Sequence, residues 1–115
     1  MYYYLYEIYI ADEDSTFYNH YYYGKHRTKI LDDGYYGSGI ILKKYIAANG
    51  TSKLKKTILG YYNSAEELDQ AEYLLVKQKR EELGDLCLNL AEGGKGGWTY
   101  VNSLLTAEQK KLNAL

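Results

Sequence analysis

Apolar and aromatic residues fill positions 2 to 10, Tyr2-Tyr3-Tyr4-Leu5-Tyr6-Glu7-Ile8-Tyr9-Ile10, with Glu7 as the one charge. A run without clean alternation suits a strand covered on both faces, or one whose exposed side carries tyrosines. Ala11-Asp12-Glu13-Asp14-Ser15-Thr16 breaks the run with turn-favouring residues and predicts a solvated hairpin tip. The aromatic pattern resumes at Tyr21-Tyr22-Tyr23, meets Gly24 and opens into Lys25-His26-Arg27-Thr28. This second β-prone segment predicts an antiparallel partner for the first. Gly24 is expected to end the aromatic strand, at a point where the backbone turns or admits a ligand closely.

Leu31-Asp32-Asp33-Gly34-Tyr35-Tyr36-Gly37-Ser38-Gly39 is a turn-rich link. Ser38 is the expected N-cap of a helix whose apolar positions are Ile40, Ile41, Leu42, Tyr45 and Ile46, with Asn49-Gly50 as the stop. Lys43 and Lys44 fall off that stripe, open to solvent or to phosphate. Residues 54–62 read as a third strand. Ser64-Ala65-Glu66-Glu67 is a capping box, and the helix it starts runs through Leu68, Ala71, Leu74, Leu75 and Val76 towards Arg80 or Leu83, with Gly84 as its end. Glu72 lies beside the apolar stripe, where a charge requires a partner or a metal. The short apolar run Leu86-Cys87-Leu88-Asn89-Leu90 follows. The order strand, strand, helix, strand, helix predicts an α+β fold, a small three-stranded antiparallel sheet flanked by helices. The first domain spans 1–92, and 93–115 forms a glycine-rich loop and a short helix, opening at Thr106-Ala107-Glu108-Gln109, packed on it.

Composition sharpens this picture in two places. The chain of 115 residues, enough for one core, carries 16 Tyr against one Phe and one Trp, and tyrosine joins an apolar ring to a hydrogen-bonding tip. A net charge of −1 and a pI near 6.1 argue against a strongly basic nucleic-acid-binding protein. Yet cations cluster at 25–29, 43–44 and 53–56, so a basic face is compatible with the average. The single cysteine, Cys87, excludes an internal disulfide and reads as a small apolar side chain. Four glycines around Lys95 lack the serine or threonine of a phosphate loop, although such a backbone can touch a phosphodiester. No stretch has the length of a membrane span, and a soluble, cytoplasmic protein is expected.

Tyr4-Leu5-Tyr6 and Tyr22-Tyr23-Gly24, with Lys25-His26-Arg27-Thr28, Asp32-Asp33-Gly34-Tyr35, Gly37-Ser38-Gly39 and Gly93-Gly94-Lys95-Gly96-Gly97, resemble the GIY-YIG nuclease superfamily in its phage homing-endonuclease-like branch. The resemblance covers roughly residues 3 to 92. It implies a DNA endonuclease that cuts a phosphodiester with one divalent ion, Mg2+ or Mn2+, in a host cell's cytoplasm if phage-encoded. It implies Tyr6, Tyr22 and Glu72 as catalytic, Glu72 as metal ligand and Asn89 as a supporting side chain at the bound DNA. The cationic role falls to Arg27, His26 or Lys25, a choice the sequence leaves open, and Lys43, Lys44 and Lys95 are candidate phosphate contacts. A tyrosine acting as base needs a nearby cation, since its ordinary pKa is about 10.

Two other functions fit the same residues. One is a nucleic-acid-binding module that has lost cleavage; the other is a tyrosine-rich protein-interaction or inhibitor domain, since tyrosine is enriched at interfaces. A minimal catalytic unit would also depend on a homodimer or a protein partner for specificity.

Overall fold

The computed structural model of the chain describes residues 1–89. The glycine-rich loop, the helix expected from Thr106 and Lys95 lie outside the described residues. Within them the elements are β1 (Tyr2–Ile10), β2 (Tyr21–Thr28), α1 (Ile40–Asn49), β3 (Leu54–Tyr62), α2 (Ala65–Leu83) and a 3-10 turn (Gly84–Leu86). The fold is α+β, with a three-stranded antiparallel sheet in the order β2-β1-β3. The central position of β1 explains its lack of alternation, because both of its faces are covered.

Tyr4, Tyr6, Ile8 and Ile10 point to one face and form the main core with Leu42 and Tyr45 of α1, Leu54 of β3 and Leu88. On the other face Leu5 is buried, and α2 contributes Leu68 and Val76, worth roughly 1.5–3 kcal/mol each when fully buried. The β1–β2 register sets Tyr6 opposite Gly24 and Leu5 opposite Lys25. Between β1 and β3 the register slips once, from Leu5↔Gly60 to Tyr6↔Ile58.

Several expectations are corrected. Gly24 does not end its strand: β2 continues to Thr28, and the glycine is needed because the Tyr6 ring lies across it. The N-cap of α1 is Gly39 rather than Ser38, without a side-chain cap bond; the Ser38 hydroxyl bonds Tyr22 instead. Leu74 is 56% exposed, off the buried stripe of α2. The hairpin tip is not wholly solvated, since Asp12 is only 7% exposed and accepts a 2.9 Å hydrogen bond from the Tyr45 hydroxyl. This bond, the Asp14 backbone N–H and Lys53 hold its carboxyl below the usual range despite burial.

Candidate active site

β2 lies at a sheet edge, and its alternation divides the charged stretch between two faces. Tyr22, Gly24 and His26 share the face of Tyr4 and Tyr6, as the ring contacts Tyr6–Tyr22 at 6.2 Å and Tyr4–His26 at 5.6 Å show. Lys25 and Arg27 take the α2 face: Lys25 pairs with Asp69 of α2, and a cavity of about 260 Å³ there is lined by Tyr3, Lys25, His26, Arg27, Leu68 and Asp69. Arg27 is exposed on that side.

Glycines make room for the two phenols. A methyl group on Gly24 would stand 2.4 Å from the Tyr6 hydroxyl, and one on Gly39 2.4 Å from the Tyr22 ring. At Gly37, whose φ of +130° suits glycine alone, it would meet both residues at 2.9 Å. Tyr22 hydrogen-bonds Ser38 and Tyr6, and Tyr6 also meets Tyr35, whose ring stands edge-on at 5.9 Å.

Glu72 reaches this edge from α2. It sits four residues after Leu68 and four before Val76, on the buried stripe itself, with its side chain 12% exposed. One carboxylate oxygen lies 3.9 Å from Lys25 Nζ, and its charge bears on both Tyr6 and Tyr22. Tyr6 and Tyr22 thus pack on each other, and Glu72 of α2, beside Lys25, is close enough for its charge to act on both. Burial, then neighbouring phenols, with a smaller push from Glu72, raise the Tyr6 hydroxyl far above its ordinary 10.0. Tyr22 moves the same way, chiefly through burial. The expected lowering by Lys25, His26 or Arg27 does not prevail: burial dominates, and both phenols are raised. At neutral pH both tyrosines are protonated.

His26 is held rather than loose. Its ring stacks on Tyr35 at 3.7 Å, and Nε2 lies 2.7 Å from Asp33 Oδ2. That bond, with Thr28 and the Tyr35 backbone, lowers the Asp33 carboxyl to about 2. An ionised Asp33 favours a proton on Nε2, between the two residues.

Asn89 braces β2. Its Oδ1 accepts from the Tyr23 backbone N–H at 2.9 Å, and its Nδ2 donates to the Tyr23 carbonyl at 2.6 Å. Cys87 and Leu88 continue the contact, Leu88 N–H donating to the Tyr21 carbonyl at 2.7 Å. The Asn89 amide thus stands in for a fourth strand beside Tyr22, with both ends engaged by the protein. Lys43 and Lys44 lie exposed on α1.

Lys56 stood out in the sequence only as a member of a cationic cluster. In the fold its Nζ donates to the Tyr4 hydroxyl at 2.8 Å and to the Tyr35 carbonyl, with the rings of Tyr4, Tyr6, Tyr35 and Tyr36 within 5.0–5.9 Å. Burial lowers its pKa, opposed by Asp33 and Asp32.

Glu72, the carboxylate expected to hold a cation, lies beside Lys25. Among the described residues no three His, Cys, Asp or Glu side chains converge. An ion here would lean on Glu72 and keep most of its water, a donor set that suits magnesium better than a soft metal.

Among the described residues, no helix is long and apolar enough to cross a membrane. No family model matches the chain, and no solved structure does. Curated proteins do. The chain is 40% identical over 93 residues, 81% of its length, to "Putative endonuclease segB" of Enterobacteria phage T4. It is 40% identical over 81 residues to "Putative endonuclease segD" and 38% identical over 80 residues to "Endonuclease segA", covering 70% and 69% of the chain, both of the same phage. These matches span 42%, 36% and 35% of the relatives, so the chain corresponds to about two-fifths of each. Over four-fifths of its own length, then, the chain is similar to phage T4 proteins that carry the name endonuclease.

Proposed function

We propose that this chain is a GIY-YIG-type endonuclease domain that hydrolyses DNA phosphodiester bonds with a divalent cation, magnesium or manganese, at Glu72. The observation that carries the reading is the packing of Tyr6 of β1 on Tyr22 of β2, ring centroids 6.2 Å apart, with the charge of Glu72 from α2 bearing on both. Similarity to phage proteins named endonucleases supports the same reaction class.

The protonated phenol of Tyr22 orients the attacking water or a phosphate oxygen by donating a hydrogen bond, and Tyr6, buried behind it, holds that phenol in place. His26, held by Asp33 through Nε2 and stacked on Tyr35, stands on the same face as the two phenols. Asn89 keeps the strand bearing Tyr22 in register. A cation at Glu72 would supply positive charge for the leaving oxygen.

The test is nicking of supercoiled plasmid DNA by wild type and Glu72→Ala, with circular dichroism to verify folding. Wild type nicks in magnesium and stops on chelation, and Glu72→Ala nicks at least about 100-fold more slowly. Equal rates in the two proteins, or no nicking by wild type, would overturn the proposal.

A further inference from the structure

The tyrosine face needs a positive charge, and the cations expected from the sequence do not supply one there. Lys25 is turned towards Asp69 and Glu72, and Arg27 is exposed on the same opposite face. His26 is engaged by Asp33. Lys56 occupies the missing position. On β3 it pairs in register with Ile8, whose side chain belongs to the core beneath the tyrosines.

An ammonium has three N–H donors. Tyr4 and the Tyr35 carbonyl take two from Lys56, and no acceptor among the described residues takes the third. The two anchors fix the Nζ atom, so little side-chain entropy is left to lose when an anion arrives. Four aromatic rings around it thin its hydration and strengthen its attraction for a negative group. Asp33 and Asp32 bear on it from the loop before α1, but neither comes within ion-pair distance.

We propose that Lys56 is a phosphate-binding residue of this site, the fixed cation that receives a DNA phosphate on the face carrying Tyr6 and Tyr22. This rests on reading that face as the one a phosphodiester meets. It assigns the cationic role to β3 rather than to the stretch after Gly24.

The test measures anisotropy of a fluorescent DNA duplex from about 50 to 200 mM salt, without divalent metal, for wild type, Lys56→Met and Lys56→Arg. Losing one phosphate contact flattens the slope of log K against log salt by about 0.9. Lys56→Met should show that change, and Lys56→Arg should keep the wild-type slope. Lys56→Gln, which retains a donor for the two anchors, carries the same expectation as methionine and replaces it if the methionine variant does not fold. A wild-type slope in the neutral variants overturns the inference, as does an absence of wild-type binding at 50 mM salt. If the slope falls but wild type nicks no plasmid, the phosphate contact stands and the catalytic reading fails.

Discussion

Replacing Gly24 by alanine probes how the phenols are held. The added Cβ would lie 2.4 Å from the Tyr6 hydroxyl oxygen, 2.6 Å from Cζ and 3.0 Å from Cε1. Carbon contacts are comfortable at about 3.5–4.0 Å, so the phenol must move by roughly 1 Å. It has little room: Tyr6 is 1% exposed, with Gly37 on one side and the rings of Tyr22 and Tyr35 on others. Overpacking of this kind costs about 1–3 kcal/mol. For 115 residues the entropy of unfolding is about 0.24 kcal/mol/K, so Tm falls by about 4–12 °C. A displacement of about 1 Å in a reacting group costs on the order of 100-fold in rate. Thermal melts and plasmid nicking of wild type, Gly24→Ala, Tyr6→Phe and the double variant read both effects. If Gly24 acts through Tyr6, the double variant cleaves no more slowly than Tyr6→Phe alone. A Gly24→Ala protein with wild-type Tm and nicking within twofold of wild type would refute this account.

Two further outcomes are expected. Asn89→Ala removes both partners of the Tyr23 backbone, costs about 1–3 kcal/mol, and lowers hydrogen-exchange protection of the Tyr23 amide at least tenfold; unchanged protection would show that the amide is not the brace. Burial holds protons on Tyr6 and Tyr22 and pushes Tyr4 up to about 12, whereas unfolded phenols ionise near 10.0. The protonated phenols therefore contribute stability that is whole below about pH 10 and is lost as pH rises towards 12. Urea midpoints across that window should fall while ultraviolet difference absorbance shows a late-titrating tyrosine fraction, and one common titration step in the folded protein would count against it.

Much of this was written locally. The capping box at Ser64 starts α2, and the Ser64 hydroxyl does accept from the Glu67 N–H, which sets the helical phase. That phase puts Glu72 in line with Leu68 and Val76 and turns Leu74 outward, so both positions were readable from a count of residues. Strand parity would likewise have separated Arg27 from Tyr22, an odd number of residues apart. What no local pattern carries is contact across the chain. Gly24 looks like a strand end until the Tyr6 ring is laid over it. Asn89 finds Tyr23 across 66 residues, and Lys56 finds its anchors on β1 and in the loop before α1. Asp12 looked like one more solvated acid because its partner, Tyr45, comes from α1.

The single slip in the β1–β3 register also sets the length of β3. Lys56 and Ile58 lie two residues apart on the tyrosine side, but the next residue on that side is Tyr61, whose ring meets Tyr4 at 6.3 Å. Leu59 is the extra residue that shifts the parity of the strand midway. One residue more or fewer there would act as a phase error, exchanging Tyr61 for a neighbour and redirecting the end of the strand, while leaving its composition almost the same. The tyrosine that anchors Lys56 is thus flanked by another because of how many residues β3 contains, as much as by which ones they are.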